Sequence, residues 1–291
     1  MPRRTTVARH ESALGRWEMV HAAPHPALRG QIEAYCGYRE ETAAPLRRSE
    51  TPSGNVSLIL SFGDPIDVEV AGLQRRRHRS FLASLHDRPA TTEHGGRQHG
   101  VEVKLSPTAT RRLAGVPLHE LPGGVVDLDL LLGRHADLLV EQLACAPTWD
   151  ERFALLDRAL ARRLEAAPAL HPGVEHAWWR LAASHGSVPV ATLAGDLGWS
   201  RRHLGERVRA DLGLPPKAIA RVLRFDRAKQ LLGRDDGRRL AEIALACGYY
   251  DQAHLNRDFR EFANATPTDF LARRLPDDGG VAAEPAPTAA A

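Results

Sequence analysis

This chain has little of what several large functional classes require. Its three cysteines, Cys36, Cys145 and Cys247, are far apart, with no CxxC pair and no Cys/His spacing suited to zinc. A disulfide scaffold is therefore not expected, and three isolated thiols fit a reducing cytoplasm. No run approaches the roughly 18 apolar residues of a membrane span. The first 17 residues are basic but lack an apolar stretch, so neither a secretory signal nor a membrane partner is expected. No nucleophile elbow, phosphate-binding loop or paired-carboxylate motif is present, and no catalytic residue, metal or cofactor is expected. A DNA-repair methyltransferase would need a reactive cysteine in a recognisable motif, and none occurs.

Charge is also scarce in net terms. Thirty-nine Lys and Arg stand against 36 Asp and Glu in 291 residues, a formal charge of +3. The distribution is more telling than the total. Residues 171–275 hold 17 basic and 12 acidic side chains, while residues 1–170 hold 22 and 21. A polyanion should therefore bind the later segment. With 43% hydrophobic residues there is enough apolar material for real cores, and the length suggests two domains.

Residues 1–25 read as a flexible arm. Residues 26–164 read as a sensor or dimerisation domain. Within it Val56, Leu58, Leu60 and Phe62 alternate with small or outward residues. IDVEV, RSFLASL and GVEVKL offer further short strands, so a small antiparallel barrel or sandwich is expected. A helical hairpin follows: Leu138, Leu139 and Leu143 mark one helix, and Thr148 to Glu151 is a capping-box pattern for the next. That hairpin could simply pack on the sheet or could join two copies in a homodimer. Residues 165–173, with two prolines, read as a linker, residues 174–275 as helical throughout, and residues 276–291 as a disordered tail. The fold class is thus α+β, with an all-α C-terminal domain.

Within that helical region one plan occurs twice. Ala194, Gly198 and Leu204 supply the small residue, turn glycine and apolar anchor of a helix-turn-helix. Ser200 is placed to cap the second helix, and Arg201, Arg202, His203, Glu206 and Arg207 follow it. Fifty residues on, Ala244, Gly248 and Leu255 repeat the plan with a turn one residue longer. Asp251 takes the cap position, and Gln252, Ala253, His254, Asn256 and Arg257 lie where bases would be read. Between the copies, PPKAIARVLRFDRAKQLLG forms one long helix with Arg221, Arg224 and Arg227 expected outward.

These stretches, together with Thr266-Pro267 before a last helix, resemble the AraC-type (arabinose-regulator) family of transcription factors from about Val174 to Arg274. The family's pattern in the second motif is matched by Gly248, Tyr249, Asp251, Gln252, Leu255, Arg257 and Phe259. There are departures. Glu206 replaces the arginine usual in the first recognition helix, Val208 replaces a phenylalanine, Gly205 weakens the helix, and Asn264 stands where glycine is common. Glu206 could pair with Arg202 or accept from a cytosine amino group. The resemblance implies double-stranded DNA as partner, two recognition helices in successive major grooves, a cytoplasmic location and RNA polymerase as a possible further partner.

TPSGNVSLILSFGDPI and GVEVKLSPTATRRLAGVPLHELPGGVVDLDLLLG also look like a poorly characterised sensor type attached to such domains. This implies a β-barrel ligand pocket with an unknown small-molecule effector. Control by a protein partner docked on the front domain is the alternative. A cupin-like metal enzyme built on His78, His86, His94 and His99 is the least favoured reading. Their loose spacing suggests loop histidines, just as Arg75 to Arg79 suggests a solvated hairpin tip.

Overall fold

The alternation that begins at Val56 becomes a strand because it buries one face against helices. In the computed structural model, which describes residues 5–121, 124–234, 236–277 and 279–283, this strand is β5 (Val56–Ser61), with Val56, Leu58 and Leu60 inside. The other strands are β1 (Thr5–Ser12), β2 (Gly15–Ala22), β3 (Ile32–Thr42), β4 (Leu46–Glu50), β6 (Ile66–Val70), β7 (Arg76–His78), β8 (Phe81–Ala83), β9 (Ala90–His94), β10 (Arg97–Leu105) and β11 (Val125–Asp127). They form a seven-stranded sheet in the order β1-β2-β3-β10-β5-β8-β11 and a four-stranded sheet in the order β4-β9-β6-β7. All named pairings are antiparallel, and the sheets are sandwich-like rather than a closed barrel.

Strand β10 is the centre of the larger sheet. Val103 pairs with Tyr35 on one side and Leu58 on the other, and Val101 with Gly37 and Leu60. Two helices close this face, α3 (His135–Cys145) and α4 (Trp149–Ala166). Thr148 opens α4 by accepting the Glu151 backbone N–H at 3.2 Å. Behind this cap Phe153, Leu156, Leu160 and Leu164 point at the sheet, each contributing about 1.5–3 kcal/mol of apolar burial. Trp149 lies directly on β3, where a Cβ on Gly37 would meet its ring at 2.4 Å. Buried Arg152 joins the two helices through its Nε–H, which donates to the Leu143 carbonyl at 2.9 Å. The expected hairpin therefore packs on the sheet.

Several expectations change. Residues 1–25 are not a loose arm from Thr5 onward, since β1 and β2 pair along their whole length. The signal was hidden because β1 is mostly exposed, while β2 buries Trp17 and Met19 and then shifts phase to Val20 and Ala22. Residues 281–283 return to edge strand β4. The Ser49 N–H donates to the Val281 carbonyl at 2.8 Å, and the Ala283 N–H to that of Arg47 at 3.0 Å. An edge strand has unused backbone groups, and this segment takes them. Residues 284–291 of the expected tail lie outside the described residues.

The linker is shorter and tighter than its two prolines suggested. Helix α4 runs to Ala166, helix α5 (Pro172–Ala183) begins six residues later, and Leu170 between them is buried. One contiguous apolar core continues from Tyr35, Leu60 and Val103 to Leu204, Leu212 and Ile219.

Three of the four histidines are not loop residues, because His78, His94 and His99 belong to strands, whereas His86 does lie in a loop between β8 and β9. Three have polar partners, whereas the buried Nε2 of His99 has none. His78 donates from Nδ1 to Asp127 at 2.7 Å, and His86 to the Arg88 carbonyl at 2.7 Å. His94 and Arg48 lie against buried Glu40. Burial pushes the Glu40 carboxyl up, but these two partners outweigh it and hold the pKa below the usual carboxylate range. His99 is wedged between Phe62 and Trp149, and burial pushes its pKa down to about 4. The basic run from Arg75 to Arg79 is exposed except at His78, as expected for a solvated hairpin, and Arg75, just before β7, and Arg77, within it, both pair with Asp67 at 2.8 and 2.9 Å.

Because Trp149 needs the space above Gly37, Gly37→Leu should overpack this joint and destabilise the fold by about 1–3 kcal/mol. A lowered midpoint in urea unfolding, followed by tryptophan fluorescence, checks it.

Candidate nucleic-acid interface

Seven further helices carry the repeated plan and its surroundings. Helix α1 (Pro107–Ala114) belongs to the front domain, while α6 (Val190–Asp196), α7 (Arg201–Leu212), α8 (Pro216–Leu232), α9 (Leu240–Ala246), α10 (Gln252–Ala263) and α11 (Pro267–Ala272) follow α5. The two helix-turn-helices are α6–α7 and α9–α10, with α8 between them. Gly198 and Gly248 each occupy the left-handed region, at φ 63° and 77°, so both turns use the conformation that glycine adopts without penalty. Ala194 and Ala244 are buried beneath them. Each supplies the carbonyl that the residue after the turn glycine binds, Trp199 at 2.9 Å and Tyr249 at 3.0 Å.

Caps open both recognition helices. The Ser200 hydroxyl accepts the His203 N–H at 3.1 Å, and the Asp251 carboxylate accepts that of His254 at 2.7 Å. These two side chains thus set the helix starts. On α7, Leu204, Val208 and Leu212 face inward, while Arg201, Arg202, His203, Glu206 and Arg207 are exposed. Arg202 Nε donates to Glu206 at 2.8 Å along the exposed face. This is one of the two expected roles for Glu206, and such a surface pair adds only about 0.3–0.5 kcal/mol. Gly205 has open space where a side chain would go.

On α10, Leu255, Phe259 and Phe262 are buried, and Gln252, Ala253, Arg257 and Arg260 are exposed. His254 is half-buried, edge-on to Tyr249 with ring centres 5.1 Å apart. Asn256 is half-buried as well, with its Oδ1 turned inside. Of the expected second-motif residues, Gln252, Ala253 and Arg257 therefore present the free outer surface. One residue was missed. Tyr250, 87% exposed, stands immediately before the cap. Its signal was the Tyr249-Tyr250 pair after the turn glycine, in which one ring is core and the other must point out.

Helix α8 departs from expectation. Arg221 and Arg224 are not free outward cations. Arg224 donates to the Gly186 carbonyl at 2.8 Å. Arg221 bonds Asp258 of α10 through Nε at 2.9 Å and Nη2 at 2.7 Å, and also reaches Glu261. Asp258 is 1% exposed and also accepts from the Tyr249 hydroxyl at 3.1 Å. Burial and the Asp258 carboxylate both push the Tyr249 phenol up, while the carboxylates beside Arg221 raise its already high pKa. This network fixes α10 on α8. Around it Phe225, Phe259, Phe262 and Phe270 form a second core. Asn264, at φ 50°, ends α10 in the left-handed region, the place where glycine is common.

The first helix-turn-helix is supported differently. Arg111 of α1 pairs with Asp211 at the end of α7, at 3.2 Å, and His119 Nδ1 donates to the Ala210 carbonyl at 2.8 Å. Arg207 reaches the same Asp211 at 3.4 Å. Residues 51–54 dock on α8, with Lys229 Nζ donating to the Pro52 carbonyl at 3.0 Å and Asp226 accepting the Gly54 N–H at 3.3 Å.

Removing Arg221 would leave Asp258 buried with only a phenol. Arg221→Ala should therefore cost about 3 kcal/mol, the low end for breaking a buried pair because the guanidinium is partly exposed. Gly205→Ala should instead stabilise α7 by up to about 1 kcal/mol. Calorimetric melting of the two variants, with opposite signs of shift, checks both.

Residues 174–273 match the family of helix-turn-helix domains, of the AraC type. Residues 20–127 match a domain of unknown function, DUF6597. No curated protein matches the chain. Among solved structures, ToxT from Vibrio cholerae is 11% identical over 94% of this chain and 98% of its own, with a TM-score of 0.49. A transcriptional regulator from Chromobacterium violaceum with an AraC-type DNA-binding domain is 29% identical over 36% of this chain and 94% of its own, with a TM-score of 0.33. The DNA-binding domain of AdpA, solved with a target DNA, is 29% identical over 35% and 92%, with a TM-score of 0.32. The chain thus carries, behind a domain of unknown function, an AraC-type helix-turn-helix domain, the DNA-binding module of transcription regulators.

Proposed function

We propose that α7 and α10 enter successive major grooves of one duplex and that the front domain controls this binding in response to a small molecule. The observation that carries this reading is the repetition itself. Two recognition helices, each capped by a side chain and each exposing arginine on its outer face, flank the 17-residue helix α8. At 1.5 Å per residue α8 spans about 25 Å, which suits two elements that must address different turns of DNA.

Arg257 and Gln252 are the base readers of the second helix, addressing guanine and adenine edges respectively. In the first helix, Arg201 and His203 are available, while Arg202 and Glu206 occupy each other and Arg207 reaches Asp211. Exposed backbone N–H groups and the remaining arginines position the phosphates. Tyr250 adds an aromatic surface at the start of α10. Contacts from the front domain to α7 and α8 support a controlling role, since a change there alters what both helices rest on. Two copies would read repeated half-sites, and sedimentation with and without duplex tests that pairing.

Arg257→Ala should weaken specific binding by about 1–3 kcal/mol and relax sequence preference at one position of the site. Affinity of the wild-type chain should fall steeply as salt rises, because phosphate contacts release counterions. Footprinting on genomic fragments at two salt concentrations measures both. An unchanged footprint and affinity for Arg257→Ala would remove α10 from the interface.

A further inference from the structure

Helix α1, the helical hairpin, the larger sheet and the short helix α2 (Leu128–Leu132) border a pocket of about 450 Å3 that is open to solvent on one side. This is within the range of small-molecule sites, roughly 300–1,000 Å3. Its walls are strongly apolar. Leu58 and Leu105 come from the sheet, Leu113 from α1, Leu132 from α2, Leu139 from α3 and Leu160 from α4. The polar residues around it are five, and none is acidic. Arg163 is half-buried, Arg162 and His135 lie exposed at the rim, Gln142 and Thr110 are neutral, and no carboxylate lines the space.

Arg163 is the informative one. Its Nη2 donates to the Leu131 carbonyl at 2.8 Å, and its Nε is buried without a hydrogen-bond partner. No ion pair joins Arg162 or Arg163 to an acid among the described residues. Partly buried guanidinium beside leucine walls favours an anion attached to an apolar body, because a cation withdrawn from water needs a counter-charge and the walls need hydrocarbon.

Helix α1 is a shared wall. Thr110, Leu113 and Ala114 face the cavity, while Arg111, on the same helix, holds Asp211 of the first recognition helix. Asp211 in turn lies beside Arg207, one of the exposed residues of that helix. We propose that this cavity is the effector site, that it takes an amphipathic monoanion, and that α1 carries its occupancy to α7. The proposal rests on the regulator reading above but adds the place and chemical class of the ligand.

The test uses the full chain with decanoate and decanol as matched probes below their aggregation concentrations, followed by isothermal calorimetry and thermal melting. Decanoate should bind at least about tenfold tighter than decanol, the scale of a charge-assisted hydrogen bond. Arg163→Leu should bring the two within about threefold while leaving decanol affinity unchanged. Ala159→Trp, which fills the space, should abolish both, with circular dichroism confirming that the variant folds.

Arg111→Ala should still bind decanoate but lose its effect on affinity for the footprinted DNA. Equal binding of acid and alcohol by the wild-type chain, which needs no variant, overturns the ligand class. Full binding by a folded Ala159→Trp overturns the site. Binding of neither probe by protein that still retards DNA also overturns the site, even if its mouth proves to be covered by a second copy. If the wild-type chain fails to retard any DNA, the regulator reading falls, and probe binding is judged separately by calorimetry.

Discussion

The structure depends on one continuous burial of apolar surface that does not stop at the domain boundary. Tyr35, Leu60 and Val103 of the sheet, Leu156 and Leu164 of α4, Leu181 of α5, and Leu204 and Leu212 of the first recognition helix belong to the same core. Removing such side chains from water is the main favourable contribution to folding. Here it also fixes how the DNA-binding helices stand on the front domain. Leu170 in the short connection is part of that core, so the connection acts as packing rather than as a tether.

The two helix-turn-helices consequently differ in what supports them. The second has its own aromatic core and the Arg221–Asp258 pair, both within the C-terminal region. The first shares its core with the front domain and is further held by Arg111 and His119. The front domain is therefore in direct contact with α7 through Arg111 and His119. This asymmetry matches their sequences, since α7 carries Gly205 and a glutamate paired with one of its arginines, whereas α10 has a regular helix with Arg257 free.

Much of the C-terminal domain was legible because its features are local. A turn glycine, a capping side chain and an apolar anchor act within about ten residues, and the caps at Ser200 and Asp251 form as their spacing implies. Strand β5 was legible for the same reason, with one face buried and alternation intact. Strands β1 and β2 were not, because one is mostly exposed and the other shifts phase. Arg221 and Arg224 looked like outward cations on α8, and only their distant partners, Asp258 and the Gly186 carbonyl, turn them inward.

The amino-acid sequence by itself determined the repeated helix-turn-helix plan, the caps, the helical hairpin and the concentration of basic residues in one segment. These follow from periodicity and short-range hydrogen bonding, which need no knowledge of distant neighbours. Tertiary structure decided which exposed residues remain free, which histidines are buried, where the chain beyond residue 275 lies, and that ten leucines surround a space edged by arginine. Each of those outcomes depends on residues tens to hundreds of positions apart. Their pairing is selected only when the whole apolar core closes.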